Sequence, residues 1–257
     1  MPRLTAIADR TLHGVGVQNI PRFTTPATMN GSATAALMLA VTVNSSGLFV
    51  AVGYATAKAL YATSSNGSTW TTPAQMNGTG VGVMTAVTVN SSGLFVAVGT
   101  NTSSYPLYAT SANGSTWTTP ALMNGSVAVA NIFSVAVNSA GLFVAVGYNG
   151  SNYPVYATSA NGSTWTTPAL MNGSNAVANM NAVTVNSIGY FAAVGVNSTG
   201  APVFATSANG STWTTPALMN GSSTTQTLTG MTTNRAGLFV AVGYTPSTSY
   251  PVYSTST

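Results

Sequence analysis

An all-β fold, a five-bladed β-propeller with four antiparallel strands per blade, is predicted by three features of this sequence. The tripeptide "MNG" recurs every 47 or 48 residues, at Met29, Met76, Met123, Met171 and Met219. The segment "GLFVAVG" begins at Gly47, Gly93, Gly141 and Gly237, and "GYFAAVG" at Gly189 fills the remaining interval. The third feature is a split copy. "NGSTWTTPA" occurs four times, with Trp70, Trp117, Trp165 and Trp213 at one fixed position, whereas the fifth version is divided between the ends of the chain. "RFTTPATMNG", starting at Arg22, places Phe23 in the tryptophan slot, and the C-terminal "YPVYSTST" stops where "NGSTW" would follow. A last blade closed by an N-terminal strand is what a ring of repeats requires, since each sheet buries its faces only against its neighbours.

The elements follow in order. Residues 1–20, "MPRLTAIADRTLHGVGVQNI", do not match the repeat and read as a docking arm, with Leu4, Ile7 and Leu12 along one face of a short helix before "HGVGV" breaks it. Residues 21–257 form the propeller. Within each unit the first strand is typified by "AVTVN" (Ala86–Asn90), closed by a Ser-Ser-Gly turn. The second, "LFVAVGY" (Leu142–Tyr148), lacks polar alternation, so both its faces are expected to be buried. The third, "YPVYATS" (Tyr153–Ser159), runs into an Asn-Gly pair (Asn161, Gly162) that predicts a tight hairpin. The fourth, "STWTTPALM" from Ser163, contains Pro168 and its equivalents Pro73, Pro120 and Pro216, which donate no ladder bond and mark it as the edge strand.

Composition excludes several functional classes. Only 2% of the 257 residues are charged, where about 25% is usual. The five cations (Arg3, Arg10, Arg22, Lys58 and Arg235) are scattered, so despite a pI of 9.5 no nucleic-acid surface is expected. Every apolar run is interrupted well short of the roughly 18–20 residues of a spanning helix, and no membrane insertion is expected. No secretory signal peptide is recognisable, because no apolar stretch follows the basic start. Cysteine is absent, and the single acid (Asp9) and single histidine (His13) both lie in the arm, so neither metal site nor cofactor is expected.

At Ser111-Ala112-Asn113-Gly114-Ser115-Thr116-Trp117 the chain resembles the Asp-box, or BNR, repeat in its compact form Ser-x-Asp-Gly-x-Thr-Trp. The preceding "FVAVG" is similar to bacterial propeller repeats that lead into such a box. The resemblance implies a structural hairpin whose aromatic packs into the blade, giving Phe23, Trp70, Trp117, Trp165 and Trp213 a core role. The aspartate is asparagine at Asn66, Asn113, Asn161 and Asn209, which still bonds turn amides but supplies no carboxylate. Asp-box proteins include sialidases. The usual glycosidase needs two carboxyl groups, and a sialidase-like site needs an arginine cluster and a tyrosine with an acidic partner. From these residues the chain is expected not to be an enzyme. Its architecture is similar to tachylectin-type propellers, its sequence is not.

The loops point to recognition. Turns between first and second strands and between third and fourth barely vary, whereas loops between second and third strands differ in every copy. In a propeller these sets emerge at opposite ends. The variable loops carry tyrosine with asparagine, serine and threonine, a mixture of rigid aromatic contact and adaptable hydrogen bonding. Tyr54, Asn101, Tyr105, Tyr148, Asn149, Tyr153, Tyr244 and Tyr250 are the expected contacts to a neutral glycan. The arm is expected to engage other protein subunits. The expectation is a virion-surface or tail-associated propeller, with a purely structural decoration subunit or a free lectin-like protein as alternatives, located on a virion or extracellular surface.

Overall fold

The computed structural model describes residues 25, 27–29, 36–78, 82–125, 129–173, 178–221 and 225–256. The expected arm with Leu4, Ile7 and Leu12, and Phe23 of the expected closing strand, lie outside the described residues. Five antiparallel sheets are the blades of a β-propeller. Blade 1 comprises β1 (Leu37–Val43), β2 (Phe49–Ala55), β3 (Lys58–Ser64) and β4 (Ala74–Gln75). Blade 2 comprises β5 (Val83–Val89), β6 (Phe95–Thr100), β7 (Pro106–Ser111) and β8 (Ala121–Leu122). Blade 3 comprises β9 (Ala130–Val137), β10 (Phe143–Asn149), β11 (Pro154–Ser159) and β12 (Ala169–Leu170). Blade 4 comprises β13 (Ala178–Val185), β14 (Phe191–Asn197), β15 (Pro202–Ser207) and β16 (Ala217–Leu218). Blade 5 comprises β17 (Thr227–Thr233), β18 (Phe239–Tyr244) and β19 (Pro251–Thr255). Strands pair with their sequence neighbours throughout, and the proline-bearing segment leads into the sheet edge.

The second strand is buried on both faces, as its unbroken apolar sequence demands. In β6 the residues Phe95, Val96, Ala97 and Val98 are all fully buried, and Phe143 to Val146 repeat this in β10. One face contributes to the junction with the preceding blade, the other to the junction with the following one. The core is therefore a series of clusters between blades. Val96 and Val98 of blade 2, for example, pack with Met123, Ile132, Phe143 and Trp165.

Three local expectations are modified. The first strand begins earlier than its apolar core, because a bulge between Met84 and Ala86 lets β5 pair on to Val83. The bulged side chain then ties blades together: Thr85 Oγ1 donates to Ile132 O at 2.7 Å, and Asn181 Nδ2, at the same bulge in blade 4, donates to Leu228 O at 2.8 Å. The fourth strand is far shorter than the nine residues of "STWTTPALM", since only Ala169 and Leu170 pair with β11. Pro168 lacks a donor, and Thr166 bonds Thr158 partly through its side chain, its Oγ1 accepting from Thr158 N at 2.9 Å. The Asn-Gly turn is not a two-residue hairpin. Of the pair only Gly162 has positive φ, at 76°, whereas the favoured two-residue type needs it at both.

The turn is instead built around the asparagine side chain. Asn161 Oδ1 accepts from Ser163 N at 2.9 Å and Thr164 N at 2.7 Å. Gly162 N donates to Ser159 Oγ at 2.8 Å, and Trp165 Nε1 donates to Gly162 O at 3.0 Å. The same bonds recur around Asn66, Asn113 and Asn209. Both oxygen-accepted bonds survive if a carboxylate replaces the amide. Asn161→Ala is therefore expected to lower stability by about 2 kcal/mol, two net bonds at about 1 kcal/mol each. Asn161→Asp is expected to leave the urea midpoint nearly unchanged. Equal losses for the two variants would show that the accepted bonds do not matter.

Candidate ligand-binding end of the propeller

The variable loops follow the second strand of each blade, and in blades 2, 3 and 4 an asparagine that starts the turn organises the loop. Asn101 Oδ1 accepts from Ser103 N and Tyr105 N, each at 2.9 Å. Asn149 Oδ1 accepts from Ser151 N and Tyr153 N, each at 3.0 Å. Asn197 does the same for Thr199 N at 3.0 Å and Ala201 N at 2.8 Å. These carbonyl oxygens are thus engaged within the loop, and the amide groups of Asn101 and Asn149 are what remain for a ligand. The shared geometry explains how loops of different sequence keep one frame.

The loops of blades 1 to 4 are also latched to the next blade. Ala57, Ser104, Asn152 and Gly200 all adopt positive φ, at 60°, 60°, 59° and 81°. Their carbonyls accept from Gly82 N (2.6 Å), Ala130 N (2.8 Å), Ala178 N (2.9 Å) and Gln226 N (2.8 Å). The end of the propeller bearing these loops is consequently held by backbone bonds that cross four blade junctions. Variation in side chains is tolerated because the latch uses main-chain atoms only.

The tyrosines expected to contact a ligand fall into two groups. Tyr54, Tyr105, Tyr148 and Tyr153 are half-buried, and Tyr148 packs on Phe133 with ring centroids 5.4 Å apart. Tyr244 and Tyr250, in blade 5, are 44% and 69% exposed. The tryptophans stand elsewhere: Trp117, Trp165 and Trp213 are each 3% exposed within blade junctions, and Trp70 is half-buried.

A cleft of about 310 Å³ opens at the loop end of blade 3. Asn149, Gly150 and Ser151 of the loop form one side, Val129 of the link to β9 another, and Pro168 and Leu170 of the edge segment a third. Of these only Asn149 was expected from the sequence. The others carry no chemical signature of a site; three separate segments converge there. Lys58 and Arg235 are the cations among the described residues, one beginning β3 and the other in the turn before β18, so the cleft itself is uncharged. Its means of holding a ligand are apolar contact, loop amides and hydroxyls.

A repeated-blade propeller with a Ser-x-Asn-Gly-x-Thr-Trp turn in each complete copy defines the class of protein. The chain belongs to the family with a BNR repeat-like domain, which matches residues 6–256. Comparison with curated proteins gave no match. The NanB sialidase from Streptococcus pneumoniae shares the fold at 15% identity and a TM-score of 0.57, over 73% of this chain and 32% of that one. The intramolecular trans-sialidase from Ruminococcus gnavus aligns at 13% identity and 0.52, over 73% and 46%. BP39L lectin from Burkholderia pseudomallei aligns at 13% identity and 0.55, over 80% and 66%. The chain thus spans about a third of the length of the NanB sialidase.

These findings correct the expectation that the protein is not an enzyme. Family membership and a fold shared with two sialidases both point away from it. The expectation rested on counting acids and arginines. A shortage of carboxyl groups bears on the two-carboxylate mechanism, whereas sialidases use a tyrosine nucleophile and stand outside it.

Proposed function

We propose that this protein recognises neutral glycans through the loop end of its propeller, several blades acting together. The observation that supports this most is the uncharged cleft of about 310 Å³ in blade 3, at the low end of the size range of small-ligand sites. The fold shared with sialidases and a lectin agrees with a carbohydrate-related role. Tyr54, Tyr105, Tyr148, Tyr153, Tyr244 and Tyr250 supply aromatic faces, and the amides of Asn101 and Asn149 supply donors. Weak similar sites on one end gain strength when the target displays repeated sugars.

The test is a glycan array probed with the intact protein and two variants. Changing the six tyrosines to alanine is expected to abolish selective binding, and Ser151→Trp, which fills the blade 3 cleft at an exposed position, to weaken it. Binding unaffected by both would place the ligand elsewhere, and no binding by folded protein would overturn the reading. Analysis of the bound glycans for released monosaccharide shows whether recognition is accompanied by cleavage.

We place the protein on a virion surface or tail, held to other subunits through residues 1–20. The support is the arm's different chemistry: it holds the sole acid and sole histidine of an otherwise nearly uncharged chain. Deleting residues 1–20 is expected to abolish incorporation into the assembly and leave glycan binding intact. Loss of glycan binding in the deleted protein would contradict a separate anchoring role.

A further inference from the structure

One wall of the blade 3 cleft is held by two blades. That wall is the dipeptide Val129–Ala130 at the entry to β9. On one side Gly150 N, in the loop of blade 3, donates to Val129 O at 3.2 Å. On the other side Ala130 N donates to Ser104 O, in the loop of blade 2, at 2.8 Å. Val129 is 41% exposed, so its side chain does little to fix the wall. Further along β9, blade 2 supplies two more bonds: Ile132 N donates to Thr100 Oγ1 at 3.2 Å, and Thr85 Oγ1 donates to Ile132 O at 2.7 Å. Of these three bonds only the one from Ala130 belongs to a residue of the cleft.

Ser104 makes its bond from a conformation that serine rarely adopts. Its φ is 60°, in the small left-handed region that costs a side-chain-bearing residue energy. The turn holds it there, because Ser104 N donates to Asn101 O at 3.0 Å while Asn101 Oδ1 accepts from Ser103 N and Tyr105 N. Ala57, Asn152 and Gly200 also have positive φ, and their carbonyls reach the next blade in the same way. The left-handed residue is thus what turns the carbonyl toward the neighbour. Ser104 itself does not line the cleft.

We propose that Ser104 is a positioning residue for the blade 3 cleft, acting through its carbonyl on Ala130, so that recognition in blade 3 depends on the loop of blade 2. This rests on the reading of that cleft as a glycan site. The action belongs to the backbone and not to the serine hydroxyl, so substitutions rank by their tolerance of positive φ. Ser104→Gly and Ser104→Asn keep the latch, Ser104→Ala weakens it, and Ser104→Val, which is β-branched, opens it most. With the latch open, the wall is held from blade 3 alone and the cleft loses its fixed width.

Hydrogen exchange at the Ala130 amide tests the latch without any ligand. Ser104→Val is expected to speed that exchange roughly tenfold, the scale of the penalty on a bulky side chain in the left-handed region. Ser104→Ala is expected to fall between Ser104→Val and the parent, and Ser104→Gly and Ser104→Asn to match the parent. The Ala178 amide, latched to Asn152 O in the next loop at 2.9 Å, is the internal control and is expected to stay protected in all four. Ala130 protection that is unchanged in Ser104→Ala and Ser104→Val, or lost equally in Ser104→Gly, would overturn the proposal. Ser104→Ala decides by itself if Ser104→Val does not fold.

Binding is read on an array of neutral glycans ending in glucose, galactose, mannose, fucose or N-acetylhexosamine. Ser104→Val is expected to weaken the parent's strongest signal as Ser151→Trp does, and Ser104→Gly and Ser104→Asn to bind as the parent. Added to Ser151→Trp, Ser104→Val is expected to cause no further loss, because both act on one cleft. Additive losses, or full binding by Ser104→Val despite fast exchange at Ala130, would show that Ser104 does not position the site. A folded parent that binds no glycan would sink the glycan reading alone, and the exchange at Ala130 would still decide whether Ser104 holds the wall.

Discussion

Trp165→Ala is expected to destabilise the protein by about 3–5 kcal/mol, the usual cost of truncating a fully buried large aromatic. The indole stands between blades 2 and 3, 3% exposed, with its ring centroid 6.3 Å from Tyr108 and 6.5 Å from Phe143. Its removal leaves a cavity flanked by Val96, Val98 and Met123, all fully buried and held by two sheets that cannot both move in. It also leaves Gly162 O without its bond from the indole nitrogen. Trp70→Ala makes the same chemical change in the same turn, where Trp70 Nε1 bonds Gly67 O at 3.1 Å. Trp70 is only half-buried, so its loss should be markedly smaller. Urea unfolding of both variants reads the difference in midpoint. Equal losses would mean that the blade 1 face is covered as well as the internal junctions are.

Gly147→Ala is expected to cost about 3 kcal/mol or more, at or beyond the upper end of the overpacking range. A Cβ on Gly147 would sit 1.8 Å from Asn131 O, which belongs to the backbone of β9 and cannot rotate away. The cause is the bulge in β9: the register shift opposite Val146 and Gly147 brings a carbonyl over the neighbouring strand. The same approach, at 1.7 to 1.9 Å, occurs at Gly53, Gly99, Gly195 and Gly243, which is why "VG" ends this segment in every blade. Gly141 offers the contrast. Nothing lies within 4 Å of its Cβ position, and only its φ of +85° resists substitution. Gly141→Ala should therefore cost about 1–2 kcal/mol. A Gly147→Ala protein that melts with the parent would show that β9 can straighten its bulge.

Much of the architecture was legible because repetition exposes function position by position. The unbroken "FVAVG" announced a strand buried on both faces, and Pro168 announced an edge, since both follow from local chemistry. The fourth strand misled for an equally local reason. Its residues alternate plausibly, but Asn161 and Thr166 satisfy neighbouring backbone amides with side-chain oxygens, which removes the need for a ladder. At the loop end, tyrosine-rich variation was visible, yet the cleft was not. Val129, Gly150, Pro168 and Leu170 meet only when a loop, a link and an edge fold together. The enzyme expectation rested on residue counts alone, and family membership together with the shared fold points the other way.

What the sequence determined by itself is the blade: its strands, its bulge glycine, its asparagine-centred turn and the number of copies. These depend on contacts within about one repeat, and every copy encodes them. What tertiary structure decided is how well each copy is covered. Val52 and Val242 stand in the same segment of their blades, yet one is 0% and the other 51% exposed. Burial belongs to the neighbour, not to the residue: among the described residues, a valine packed against the next blade is core, and the same valine with no described segment over it is surface.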